Sequence, residues 1–499
     1  MSASVITFTL YLIGMLTVGL ITYRMTHTFS DYVLGGRRMG SWVTAISAQA
    51  SDMSGWLLLG LPGLAFSIGM GSIWLAMGLA TGTLLNWMYT ARRLRLYTQQ
   101  LNALTLPDYF EFRFRDPSRL LRLLSALLIF VFFLYYTASG LVGGGKLFEA
   151  AFGLDYTLAV LIGAVIIVGY TFLGGFFAVS WTDLFQGLLM FVALMVLPVA
   201  AILTMGGFTE TVNTIREVSP MHVGLSGDQT GTAVILSFIA GNLAWGFGYF
   251  GQPHILSRFM AIKDPKMLSK STMIAVIWVV LTLYGAILSG FVGFGASERG
   301  LLSVVDPEQI FIGLANLLFH PVIAGLLLAA IMAAIMSTVD SFLLVTSTAV
   351  AEDFYKRFFR RGASEKELIW VGRFGVLITA LIAIYLSFSQ EKNVLDLVSY
   401  AWAGLGGTFG PVVLLSLYWK RMNLYGAFAG LITGAVTILL WTNAVQPNEW
   451  FGPAVSSLYE LLPAFLLSVL AIIVVSKLTP PPSEKIQEEF DAVISPSKQ

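Results

Sequence analysis

Apolar residues run almost without interruption through thirteen stretches of the chain: 5–23, 42–68, 73–91, 124–143, 156–172, 181–205, 232–250, 273–294, 321–345, 368–387, 395–419, 426–444 and 458–475. Each approaches the ~20 residues that cross a bilayer as a helix. The runs are continuous rather than alternating, which excludes a membrane β-barrel. The pattern therefore predicts an all-α polytopic membrane protein with about 13 transmembrane spans. Residues 1–477 read as a single transmembrane domain, and 478–499, opening on a proline run, as a polar cytoplasmic tail. The amino-terminal MSASVITF has no basic stretch before its apolar run, unlike a cleaved signal peptide.

Composition narrows the function. Only 11% of the 499 residues are charged and 57% are hydrophobic, against about 25% charged for soluble domains. Soluble enzymes, nucleic-acid binders and disordered chains are excluded, and the partner on all sides is the lipid bilayer. The absence of cysteine removes disulfides, thiolate metal sites and cysteine nucleophiles. His27, His222, His254 and His320 are too scattered for a zinc motif. Nothing in the pattern selects an oligomeric state. Lys and Arg orient the chain: twenty-five fall on one side, while only Lys146, Arg216, Arg299 and Lys392 fall on the other. The positive side faces the cytoplasm, so the amino terminus is expected outside and the carboxyl terminus inside.

Two spans look interrupted. The second carries ASDMSGW (50–56) in its middle, where Asp52 costs at least ~2.5–3.5 kcal/mol at membrane depth. Tight helix packing through small residues explains Ser54 and Gly55 but not Asp52. An unwound stretch lining a polar cavity explains all three. The seventh span carries WGFGYFGQPH (245–254), whose three glycines and proline break a helix. Its formal GxGxxG match lacks the strand–turn–helix setting of a dinucleotide site. Spans 2 and 7 are five apart and cross in opposite directions. Interrupted spans at matching positions of two inverted halves point to a transporter's central site. The halves would be about 42–205 and 232–419, with span 1 and spans 12–13 (about 426–475) outside them. Free amides of the half-helices would face an anionic group, freed carbonyls a cation, and Trp56, Trp245, Tyr249 and Phe250 a small ligand's apolar surface.

A third polar element, IMSTVDS (335–341), lies in span 9. Back-bonding to the preceding turn accounts for Ser337 and Thr338 taken singly. It does not account for Asp340, and four oxygen-bearing side chains in five residues suit a hard, weakly held cation. Asp183, just inside span 6, is another intramembrane acid. With no Lys, Arg or His expected mid-span beside these acids, a bound cation or a proton is the expected partner.

Seven separated motifs then carry a resemblance: ASDMSGW (50–56), LTLPDYF (104–110), LGGFFAVSWTD (173–183), WGFGYFGQPHIL (245–256), AAIMSTVDS (333–341), ELIWVGR (367–373) and LVSYAWAGLG (397–406), with the loop YVLGGRRMG (32–40). In this order they resemble the sodium/solute symporter family, most closely its bacterial proline-transporting members. The resemblance implies a LeuT-type fold of 5+5 inverted repeats with extra helices, in a bacterial cytoplasmic (inner) membrane. It implies no enzyme activity, with Na+ as the co-transported ion and L-proline as the small-molecule substrate. It further implies a sodium site formed by the carbonyls of Ala50, Met53 and Ala334 and the hydroxyls of Ser337 and Thr338. Proline would lie against Trp56, Tyr136, Trp245 and Tyr249, with Ser54, Gly55 and Gln252 nearby. Asp52 and Arg37 are implied in coupling. Asp340 departs from the family's serine; with Asp183 and Ser341 it forms either a second cation site or a proton pair. A symporter of another small carboxylate or amino acid, or a membrane sensor of the same fold, is the alternative, and the short tail argues against the sensor.

Overall fold

The computed structural model describes residues 3–23, 28–173, 175–388 and 393–494. Arg24, His27, Lys392 and Lys498 of the charge and histidine patterns, Gly174 of one motif and the last five residues of the tail lie outside this set. Among the described residues the chain is helical throughout, and its only β pairing is an isolated bridge between Met39 and Ile262. Ten helices are long and apolar enough to cross a membrane, and 5–18 and 156–169 form two shorter apolar helices.

Helix Pro321–Thr348 lies at the centre, buried along nearly all its length. It packs against Ala3–Tyr23, Leu120–Phe152, Phe176–Thr204 and Glu365–Ser387. Glycine allows the closest of these approaches: a Cβ on Gly140 would stand 2.3 Å from Val339.

Both expected interruptions are present. Helix Ser41–Asp52 ends at Met53, and helicity resumes as a π-turn over Trp56–Gly60 before Leu61–Ile68. The break is narrower than the motif suggested, since Ala50, Ser51 and Asp52 remain helical. Thr232–Ala244 passes into a 3₁₀ stretch, Trp245–Gly251, and a new helix starts at Pro253 and runs to Ala261. Proline suits this first helical position because its missing N–H would have had no intrahelical partner there.

The last segment is not a bare polar tail. Glu484–Ile494 is an amphipathic helix whose Phe490 is buried beneath Arg113, 5.4 Å from guanidinium to ring. Glu489 pairs with Arg115, and Asp491 with Lys420 at 2.5 Å. Some arginines expected in loops are also internal. Arg122 is fully buried because Asp108, Glu111 and Asp353 surround it, the last at 3.4 Å.

Candidate functional site

The break in Ser41–Asp52 creates the first feature of the site. The Met53 amide closes the last helical bond, to Gln49 O at 2.8 Å. The Ser54 amide, which would otherwise bond Ala50, turns to Asp52 O at 2.9 Å instead. The carbonyl of Ala50 is thereby freed from the helix, and two hydroxyls of Pro321–Thr348 reach it: Ser337 donates at 2.7 Å and Thr338 at 3.2 Å. The same hydroxyls lie 3.1 and 3.0 Å from Ala334 O. Back-bonding explains the Ala334 contacts but not those to Ala50, which cross between helices 287 and 288 residues apart in sequence. Two carbonyls and two hydroxyls thus converge in a dry, oxygen-only cluster. Each hydroxyl can rotate to present a lone pair to a cation. Met53 sits at the break itself, with φ −80° and ψ 76°.

The second feature joins the two breaks. Tyr249 donates its hydroxyl to Asp52 Oδ2 at 2.7 Å, and both side chains are fully buried. Tyr136 interacts through charge with Asp52 and Tyr249 and stacks on Phe342 with ring centroids 4.3 Å apart. Asp52 Oδ1, Tyr136 Oη and Gln252 Oε1 are buried with no hydrogen-bond partner among the described residues. Unsatisfied buried polar atoms are costly, and three of them among the expected substrate residues mark a place for a polar ligand.

Trp245 stacks on Tyr459 at 4.9 Å and on Trp402 at 6.4 Å. Its carbonyl accepts from Trp402 Nε1 at 2.8 Å. Gln252 Nε2 donates to Gly248 O at 3.1 Å and Trp402 O at 3.2 Å, pinning the broken segment to helix Val394–Tyr418. Trp56 folds its indole back onto Asp52 O at 3.1 Å, and its amide donates to Ser54 Oγ at 3.3 Å. These two residues close the break on itself. Gly55 permits close approach to the central helix, since a Cβ there would be 2.9 Å from Ile335.

Sequence reasoning missed Trp402, Tyr459 and Asn86, the last donating to Tyr249 O at 3.0 Å. Trp402 stands inside a quoted motif, but nothing in its spacing tells a core tryptophan from one that holds a carbonyl.

The third feature corrects an expectation. Asp183 has a basic partner at membrane depth: Arg258 Nη2 lies 3.2 Å from its Oδ2, with Arg258 1% exposed. The sequence pattern assigned Arg258 to an inner loop. The proline that restarts the helix at 253 instead carries it inward on Pro253–Ala261. Ser341 accepts from the same guanidinium at 2.6 Å. Asp340 interacts with it through charge, and Ser341 lies 3.4 Å from Asp340 Oδ1.

Arg37 lies away from these residues, at one end of the bundle. It follows Gly35 and Gly36 in a run of left-handed φ angles of 57°, 59° and 55°. Only the two glycines adopt this freely. Arg37 is held there by bonds from its guanidinium to Met260 O (2.8 Å), Ala103 O (2.8 Å) and Thr98 O (3.2 Å).

Known proteins share this architecture and this order of motifs. A solved Na+-coupled sialic acid symporter, in a substrate-bound outward-open state, superposes with a TM-score of 0.79 at 20% identity, covering 97% of this chain and 99% of that one. The nucleobase-cation symporter Mhp1 superposes with a TM-score of 0.53 at 15% identity over 92% and 98% of the two chains. In sequence, the osmoregulated proline transporter OpuE of Bacillus subtilis is 48% identical over 96% of both chains. The sodium/proline symporter of Escherichia coli is 48% identical over 97% of this chain and 95% of its own. The family profile matches residues 32–434, a span that holds both breaks and the oxygen cluster between them; this chain belongs to the sodium:solute symporter family.

Proposed function

We propose that this chain imports L-proline together with sodium by alternating access. The observation that carries the reading is the meeting of Ala50 O, Ala334 O and the Ser337 and Thr338 hydroxyls across two helices, directly beside the broken segments. Relatives 48% identical over nearly the whole chain, named for proline transport, support the choice of substrate.

Sodium binds between Ser41–Asp52 and Pro321–Thr348, with Met53 O completing the ligand set, and straps the first break to the central helix. That strap fixes Asp52, which through Tyr249 orders the second break for proline. The imino-acid ring lies against Trp245 and Tyr249, with Trp56, Tyr136, Ser54, Gly55 and Gln252 around it. The carboxylate of proline faces free amides at the breaks. One inward sodium supplies ~2.3 kcal/mol per 100 mV, and a tenfold gradient adds ~1.4 kcal/mol. The ~3.7 kcal/mol total sustains roughly a 500-fold proline gradient.

In this reading residues 1–477 form one transporter domain in a bacterial inner membrane, with thirteen spans, the amino end outside and residues 478–499 inside. The inverted repeats are 42–205 and 232–419. The 45-residue helical segment Trp56–Gln100 supports this count, because at ~1.5 Å per residue it is about twice a bilayer's thickness. Gly69, at φ 65°, gives it a place to turn back.

The test is labelled-proline uptake by proteoliposomes holding the purified protein. Uptake driven by an inward sodium gradient, competed by proline and not by other small carboxylates, is the expected result. Equal accumulation with every alkali cation absent overturns the reading.

A further inference from the structure

The sodium-coupled reading leaves open what holds the second group of intramembrane acids, and the following rests on that reading. Asp183 on helix Phe176–Thr204 and Asp340 and Ser341 on Pro321–Thr348 are fully buried. Ser47 on Ser41–Asp52 completes the group and donates to Asp183 Oδ2 at 2.6 Å. A transported cation at this place would need Asp183, Ser341 and Ser47 as ligands. Their oxygens are already committed. Arg258 Nε donates to Ser47 Oγ at 3.1 Å, and its Nη2 reaches Asp183 Oδ2 at 3.2 Å and Ser341 Oγ at 2.6 Å. Its Nη1 donates to His254 O at 3.0 Å, which ties the guanidinium to its own helix. Phe176 lies under the guanidinium carbon at 5.0 Å from the ring centroid.

We propose that the Arg258 guanidinium is the resident occupant of this second cation position, so that one sodium, not two, accompanies each proline. What remains of the donor set is Asp183 Oδ1 and Asp340 Oδ2, both without hydrogen-bond partners among the described residues. Two oxygens are too few for a hard cation of the sodium type, which takes about six or more oxygen ligands in the comparable calcium case. The planar fork of arginine, by contrast, fits three acceptors on three different helices and stays charged throughout the cycle. Arg258 also rides on the helix that follows the second break. A fixed charge there links that helix to Ser41–Asp52, Phe176–Thr204 and Pro321–Thr348 in every cycle, as a bound ion would do only while bound.

The experiment counts sodium. Equilibrium binding of radioactive sodium to the purified, unmodified protein is expected to give one ion per chain, and reversal-potential measurements in proteoliposomes one charge per proline. Arg258→Ser opens the position and is expected to bind two ions per chain with a Hill coefficient rising from about one to about two. Arg258→Lys keeps a positive charge without the fork; it is expected to keep one ion and one charge per proline while uptake slows at least tenfold. Two ions per unmodified chain overturn the proposal, whether or not any variant folds. So does a folded Arg258→Ser protein that binds a single ion. Absence of any sodium-driven proline uptake overturns the functional reading itself, and this proposal with it.

Discussion

The hydroxyl of Tyr249 meets Asp52 Oδ2 at 2.7 Å, and this bond joins the two broken helices across 197 residues of sequence. Asp52 immediately precedes the residue where Ser41–Asp52 stops, and Tyr249 lies in the 3₁₀ stretch Trp245–Gly251. Ala50 belongs to the same turn as Asp52 and accepts the Ser337 hydroxyl. A cation at Ala50 and a solute at Tyr249 are therefore separated by one helical turn and one hydrogen bond. This is a physical route for coupling, since ordering the break at one end orders it at the other.

Tyr249→Phe removes the bond and leaves a buried carboxylate with less solvation. A hydrogen bond to a charged group is worth ~1.5–3 kcal/mol. The half-saturating proline concentration is expected to rise roughly 10- to 100-fold at saturating sodium. Uptake kinetics, normalised to inserted protein, check this; unchanged proline affinity removes Tyr249 from the coupling route.

Ser337→Ala and Thr338→Ala each delete one oxygen from the cluster at Ala50 and Ala334. Loss of one ligand is expected to weaken apparent sodium affinity about 10-fold, or ~1.4 kcal/mol. Proline affinity at saturating sodium should change far less. Sodium titrations of uptake at fixed proline decide it, and a flat sodium dependence in both variants refutes the site.

The parts of this architecture legible in the sequence are those where residue chemistry and membrane depth conflict. Asp52 amid an apolar run, and three glycines and a proline at 246–253, announce breaks because no straight lipid-spanning helix tolerates them cheaply. The polar run 337–341 is legible for the same reason. What the sequence hides is which way each restarted helix carries its charges. Arg258 reads as a loop cation by proximity to Lys263 and Lys266, yet one helical turn past Pro253 brings it to Asp183. Arg122 is hidden likewise, because its carboxylate partners come from 108, 111 and 353. Trp402 leaves no trace at all: its bond to a backbone carbonyl depends on a close approach that only Gly248 permits.

That approach makes its own prediction. A Cβ on Gly248 would lie 1.9 Å from Trp402 Nε1, and Trp402 cannot withdraw without giving up its 2.8 Å bond to Trp245 O. Overpacking of this kind costs ~1–3 kcal/mol. Gly248→Ala is expected to lower proline binding at least tenfold and to reduce the melting temperature of the purified protein. Binding of labelled proline to the detergent-solubilised variant reads the first effect; a native dissociation constant shows that the Trp402 contact does not shape the pocket.

Arg37 tests the other end of the cycle. Its guanidinium bonds three backbone carbonyls, at Met260 after the second break and at Thr98 and Ala103 beyond helix Arg92–Gln100. Arg95 adds a bond to Ile262 O at 2.7 Å, and Met39 N to Ala261 O at 3.3 Å. Together they close this end of the bundle over a small cavity of about 30 Å³ whose lining includes Leu104, Pro107, Ser257 and Met260. Opening toward the cavity requires these bonds to break, so their strength sets how often it opens. Arg37→Ala removes three of them and also relieves a left-handed φ that a non-glycine residue adopts at a cost. The chain has no cysteine, which makes a single Ser257→Cys an unambiguous reporter. In that background, Arg37→Ala is expected to raise the rate of maleimide labelling several-fold, and sodium to slow labelling less than in the parent. Arg37→Lys is expected to fall between the two, because an ammonium cannot span the same carbonyls in one plane. Equal labelling rates in all three proteins would mean that Arg37 holds its loop without governing access to the cavity.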